Sequence, residues 1–203
     1  MPRIVIASIV MTVDGRTTGP AGPGDMSVIA PHGVTEQARD NLLRMTEATT
    51  ALLGRKNYEC FHGWWPAVEH QADADPRDRA FSAWLTSVEK VVFSTTLDST
   101  DWDNATVTSD RPAAVVQCLK EQPGGDIRVL SSGSLIRELL AAQLIDRLQL
   151  TLAPEIVGTG GTALFEGPAA ARSSWRTVSA EIADHGGVLL ELERIGLTEE
   201  NTR

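Results

Sequence analysis

The sequence predicts an α/β domain, a mixed and mainly parallel sheet flanked by helices and closed by a C-terminal antiparallel hairpin. Three observations carry this prediction. Residues 3–11 are an almost unbroken run of β-branched and small apolar residues, the composition of a strand covered on both faces. Strand-like and helix-like apolar spacings then alternate as far as residue 152, the pattern of parallel strands joined by crossover helices. Last, residues 175–182 and 188–195 flank the turn sequence Asp184-His185-Gly186-Gly187 and read as two paired strands.

The run at 3–11 predicts a central strand. The Gly/Pro-rich loop after it, Thr12 to Gly19 and on to Gly24, is longer than a connection requires, and such loops carry function. Val34, Ala38, Leu42 and Met45 form one helical stripe over residues 35–48. Residues 50–53 predict a second buried strand ending at Gly54. Asp75 as N-cap and Pro76 in the first turn open a helix over 76–88 with Phe81, Trp84, Leu85 and Val88 on one face, followed at once by a strand over 90–93. Asp110 and Pro112 start a third helix bearing Val116 and Leu119, which Pro123-Gly124-Gly125 stops before a strand at 127–130. A helix over 135–142 follows, and Leu148, Leu150 and Leu152 alternate as in a strand with one covered face. One domain spans residues 1–197, and the polar residues 198–203 form a loose tail.

Composition narrows the function. With 42% hydrophobic and 22% charged residues the chain can build a sizeable core. A net charge of -9, without a basic patch, argues against nucleic acid or an anionic membrane as partner. Cys60 and Cys118 are too few for a disulfide scaffold and are not spaced for zinc, so a reducing compartment is expected. No signal-peptide pattern or bilayer-length apolar segment is visible, which points to the cytoplasm, and the metal-compatible stretch His70 to Asp75 lacks a helical His pair or cysteine ligands, so no metal site is expected.

Three strand-ending turns share one design: Gly54-Arg55-Lys56-Asn57-Tyr58, Ser94-Thr95-Thr96, and Ser131-Ser132-Gly133-Ser134-Leu135-Ile136. Ligands of open α/β sheets bind beyond the carboxyl ends of the strands, where free amides, hydroxyls and glycine hold phosphates. Arg55 and Lys56 add positive charge where a 2′-phosphate would select NADPH over NADH.

Other signals weigh less. Gly158-Thr159-Gly160-Gly161-Thr162-Ala163 matches a dinucleotide fingerprint, but no helix follows it. Ser131 to Ser134 lacks the flanking glycines of a hydrolase nucleophile elbow, and His185 sits in a hairpin tip. Residues 70–75 read as a solvated loop, and Trp64, Trp65 and Trp84 as core or dimer-interface residues, with a ring-stacking platform as the lesser alternative.

In this order Gly54 to Glu59, Ser94-Thr95-Thr96, residues 132–136, and Leu-Thr-Leu-Ala-Pro-Glu-Ile-Val-Gly at 150–158 resemble the dihydrofolate reductase superfamily. The opening strand with Asp14-Gly15-Arg16 resembles in particular the branch of the C-terminal reductase domain of bifunctional riboflavin-biosynthesis proteins. The resemblance runs from about residue 3 to residue 195. It implies a dihydrofolate-reductase-like sheet and NADPH-dependent hydride transfer to a small nitrogen heterocycle, a pyrimidine or pterin, in a homodimer. Dihydrofolate reductase proper and a non-catalytic nucleotide-binding or dimeric module on the same fold stay open.

By the same resemblance, Gly54, Arg55, Lys56, Asn57 and Tyr58 face the adenosine-side phosphates, Ser94, Thr95 and Thr96 lie near the 2′-phosphate, and Ser132, Gly133, Ser134, Leu135 and Ile136 cap the pyrophosphate. The loop from Thr12 to Gly19 covers the nicotinamide as a movable lid. Glu36 and Asp14 are the candidate catalytic carboxylates, with Asp40 beside Glu36. Two positions depart from the family pattern: Ser131-Ser132 stands where a Gly-Gly or Gly-Ser pair with a tight or cis peptide is usual, and Asn57 where Thr is common.

Overall fold

The computed structural model describes residues 3–167 and 172–196. The tail at 198–203 lies outside them. Along the chain run β1 (Val5–Thr12), α1 (Glu36–Met45), β2 (Thr50–Gly54), α2 (Arg55–Val68), α3 (Pro76–Ser87), β3 (Glu89–Phe93), β4 (Ala105–Thr108), α4 (Pro112–Glu121), β5 (Ile127–Leu130), α5 (Gly133–Ala141), β6 (Arg147–Ala153), β7 (Trp175–Ile182) and β8 (Val188–Arg194).

These strands make one eight-stranded sheet in the order β4-β3-β2-β5-β1-β6-β8-β7. All neighbours from β4 to β6 are parallel, and β8 pairs antiparallel with both β6 and β7. The predicted central strand is β1, held between β5 and β6.

Period-two alternation divides the core between the two faces of the sheet. Val5, Ala7 and Ile9 of β1 join Val129, Leu148 and Leu150 against Val116 of α4 and Leu135 and Leu139 of α5. On the other face Ala51, Leu53 and Val92 pack against Met45 of α1, Tyr58 of α2, and Phe81 and Leu85 of α3. Helix starts follow local chemistry: Thr35 accepts from the Ala38 amide at the head of α1, and Asp75 from the Arg77 amide at the head of α3.

Several local expectations change. Residues 55–68 form a full helix, α2, which the sequence had not announced; it contains Gly63 and Pro66, and Pro66 stands in the last turn, so the hydrogen bond it lacks lies at the end of the ladder. Strand β4 is four residues long at the sheet edge and has no apolar pattern to announce it. Val34 is 61% exposed and drops out of the α1 stripe, because the helix starts only at Glu36. Arg111, not Asp110, precedes α4. Strand β6 is covered on both faces, since Gln149 and Thr151 are buried opposite the leucines.

Candidate functional site

Parallel strand order brings the carboxyl ends of β3, β2 and β5 side by side, so the three predicted turns meet. The Gly54 amide donates to Ser132 Oγ (2.9 Å), which itself donates to the Leu130 carbonyl (2.9 Å). Asn57 Nδ2 reaches the same carbonyl at 2.7 Å, tying α2 to the end of β5. Arg55 hydrogen-bonds Thr96 Oγ1 and pairs with Glu59 at 2.7 Å, bridging the ends of β2 and β3. Ser94 Oγ accepts from the Thr96 and Leu97 amides and shapes the turn, leaving Thr95 and Lys56 exposed.

Helices α2 and α5 both begin at this junction, and no side chain caps either one. The first-turn amides of both, at Arg55 and Lys56 and at Gly133, Ser134 and Leu135, therefore face the same crevice and favour anions. Two predicted contact residues do other work. Tyr58 turns inward, buried against Trp102 with its hydroxyl 2.5 Å from Thr100 Oγ1. Ile136 is fully buried and its amide closes the first turn of α5 on the Ser132 carbonyl. Each has the side-chain chemistry of the core, and the helix period turns it there.

Ser131 has a φ of 45°, the left-handed backbone that a glycine adopts without strain. The position thus keeps the glycine conformation of the family pattern while carrying a side chain. No cis peptide bond occurs among the described residues, so the peptide expected there is trans.

The loop after β1 is pinned. Thr17 donates its amide to the Thr162 carbonyl (2.8 Å), the Thr162 amide donates to Thr18 Oγ1 (2.8 Å), and the Leu164 amide to the Gly15 carbonyl (2.9 Å). The glycines at 160 and 161 allow this approach, since a Cβ on Gly161 would stand 2.5 Å from the Thr18 carbonyl oxygen. They pack one loop on another, with no dinucleotide helix following among the described residues. Thr12 and Asp14, placed among the cofactor and catalytic residues by resemblance, belong to this joint. Thr12 Oγ1 donates to Asp14 Oδ1 (2.5 Å), and the Gly158 amide donates to Asp14 Oδ2 (2.8 Å). The Thr12 hydroxyl and then the Gly158 amide hold the Asp14 carboxyl below its ordinary range, so it is an ionised turn anchor. The movable lid becomes a tied loop lying against the start of α5, with Thr17 beside Gly133.

Glu36 has a comparable fate. Its Oε2 lies 2.6 Å from the Arg77 guanidinium, which also binds Asp40 (2.7 Å) and Asp75 (2.8 Å). Glu36 and Asp40 stand outside the cavity described next, on the outer side of α1, because the face that carries Ala38, Leu42 and Met45 takes the inner one.

A cavity of about 540 Å³ opens between the sheet and helices α1, α2 and α3. Its apolar wall is Ala38, Leu42, Met45, Phe61 and Val68, with Trp64 and Trp65 at one side; Ser8, Gln149 and Thr151 line the sheet side, and Ser131 joins the cavity to the crevice at α5. Trp65 packs edge-on to Phe81, whereas Trp64 is 62% exposed and belongs to the cavity rather than the core. Asp73 and Asp75, in the loop read as solvated, reach the cavity together with Arg39 and Asp78. Behind Gln149 lies Arg128, 5% exposed, whose guanidinium donates to Gln149 Oε1 (2.5 Å); burial pulls it down to about 10. Among the described residues no cluster able to hold a metal ion occurs.

A family model of the RibD C-terminal domain matches residues 3–189. The chain belongs to the RibD C-terminal domain family. Among curated relatives of this RibD-type domain, the uncharacterized protein YyaP of Bacillus subtilis (strain 168) is 28% identical over 159 residues, 78% of each chain. Two solved structures share the RibD-type fold. A protein of Shewanella sp. PV-4 named for riboflavin biosynthesis is 20% identical with a TM-score of 0.68, covering 96% of this chain and 99% of the other. The diaminohydroxyphosphoribosylaminopyrimidine deaminase/5-amino-6-(5-phosphoribosylamino)uracil reductase of Thermotoga maritima is 15% identical with a TM-score of 0.63 over 96% of this chain and 57% of that one. The RibD-type domain thus spans little more than half of the Thermotoga chain. The mixed sheet with its antiparallel C-terminal strands matches the dihydrofolate-reductase-like fold expected from the sequence. No described helix is long and apolar enough to cross a membrane.

Proposed function

We propose that this chain is an NADPH-dependent reductase that transfers a hydride to a small nitrogen heterocycle of the pyrimidine or pterin type, acting in the cytoplasm as a homodimer. The carrying observation is that two uncapped helix starts, α2 and α5, converge on a crevice that Ser131 joins to a 540 Å³ cavity. That volume suits one small ring system.

The chain fits the cofactor. First-turn amides of α5 and the Ser134 hydroxyl would hold the pyrophosphate; Lys56, with Arg55 and Thr96 at the neighbouring strand end, would receive the 2′-phosphate. Thr17 and the tied loop would cover the nicotinamide end near Gly133. When bound, NADPH supplies the hydride. The protein's task is then to hold two rings face to face and exclude water, which needs no nucleophile. Neither Glu36 nor Asp14 is proposed as proton donor, because both carboxylates are committed elsewhere. The reductase in the name of the Thermotoga relative supports this reading.

Titration of the purified protein with NADPH and NADH, followed by tryptophan quenching, is the test. NADPH should bind at least roughly tenfold tighter than NADH, and the R55Q/K56Q double variant should lose that preference, as expected for one or two charge-assisted hydrogen bonds. Equal binding of the two cofactors by the native protein, or binding of neither, removes the assignment.

A further inference from the structure

The sheet side of the cavity carries a polar group whose orientation is set from behind. Arg128 can only donate, so the Gln149 atom 2.5 Å from its guanidinium must be the carbonyl oxygen. Ser8 Oγ donates to the same oxygen at 3.0 Å. With Oε1 engaged twice, Gln149 offers its amide nitrogen to the cavity it lines, and that nitrogen has no acceptor among the described residues. Gln149 is itself only 9% exposed, and its amide nitrogen opens to the cavity rather than into the core, so water meets it there and a ligand carbonyl can take that water's place.

The charge of the wall is the second observation. Its cation, Arg39, is already bound to Asp78 (3.0 Å) and Glu36 (3.3 Å), with Asp75 at 4.0 Å. Asp73, Asp75 and Asp78 give the cavity more carboxylates than guanidinium groups. A phosphate ester there would face negative charge with no uncommitted cation to meet it.

We propose that Gln149 is a specificity-determining residue, presenting a hydrogen-bond donor held by Arg128 and Ser8, and that the substrate is a heterocycle with a ring carbonyl and no phosphate. This rests on the reductase reading of the same cavity. It sets the chain apart from the phosphoribosyl substrate in the name of the Thermotoga relative.

The probe is 5-amino-6-(5-phosphoribosylamino)uracil, offered before and after phosphatase treatment and followed by quenching of Trp64 and Trp65 at the cavity. The dephosphorylated compound should bind roughly tenfold or more tightly than the ester. In Gln149→Glu one carboxylate oxygen keeps Arg128 and Ser8 while the other turns the cavity donor into an acceptor. It should lose roughly tenfold in affinity for the neutral compound, with NADPH binding unchanged. Asp73→Lys, a charge reversal at the cavity's exposed edge, should improve binding of the ester relative to the neutral compound. Equal or tighter binding of the ester, unchanged affinity in Gln149→Glu, or no binding of either compound overturns the proposal. Loss of NADPH binding with discrimination between the two compounds intact would sink only the cofactor assignment.

Discussion

Ser131 pays for its place in the site with backbone strain, a non-glycine residue at a φ of 45° where β5 passes into α5. Left-handed backbone costs an L-residue roughly 1–2 kcal/mol, partly offset in glycine by the larger entropy of its unfolded chain. Ser131→Gly should therefore stabilise the protein by about 0.5–1 kcal/mol in urea denaturation. A loss of stability would mean that the hydroxyl contributes more than the strain removes. At this scale the sequence was informative about residues at strand ends, such as Gly54, Ser132 and Gly133, because a small or hydroxylated residue after a buried strand has few other uses. It was poorly informative about carboxylates. Glu36 on a helix start and Asp14 in a turn carry the same charge wherever their partners lie, and only the positions of Arg77 and the Gly158 amide show that both are engaged.

Among the elements, α3 and β3 are joined through a buried lysine. Lys90 Nζ donates to the carbonyls of Leu85 (2.8 Å), Thr86 (3.0 Å) and Val88 (2.8 Å), and lies 4.9 Å from the Trp102 ring centroid. Burial lowers it to about 8, while the three carbonyls at the helix end and the aromatic face favour its charge. Lys90→Met keeps the volume but leaves these acceptors without their donor, and should cost about 2–4 kcal/mol by thermal denaturation. A change below about 0.5 kcal/mol would mean that water replaces the ammonium. Asp75 and Pro76 made α3 legible within a few residues, Pro112 made α4, and the Ser131 to Ser134 turn with the apolar residues after it made α5. Helix α2 was not, since its interior Gly63 and Pro66 oppose helix locally and its stability comes from burying Tyr58 and Val68.

Across the whole molecule, segments from opposite ends of the chain form one joint. Residues 12–18 lie about 144 positions from the loop that holds them, and Asp14 supplies the carboxylate that accepts the Gly158 amide. Its carboxyl lies below the ordinary 3.8 in the folded state, so the stabilisation is present above that value and fades as pH falls through the lower folded one. Amide protection at Val157 and Gly158 should be kept at pH 5 and lost as pH falls well below 3.8, whereas Asp14→Asn should lack it at both. Pattern and composition by themselves determined every strand but β4, the parallel-to-antiparallel change at the C-terminus and the strand-ending turns rich in small and hydroxylated residues, because these depend on local periodicity and turn chemistry. Alternation also showed that Gln149 points away from Leu148 and Leu150. Only the packing of α1, α2 and α3 decided that this second face is covered, that Arg128 stands behind it, and that a cavity rather than solvent meets its amide, because burial of a sheet face depends on which helices the fold lays across it.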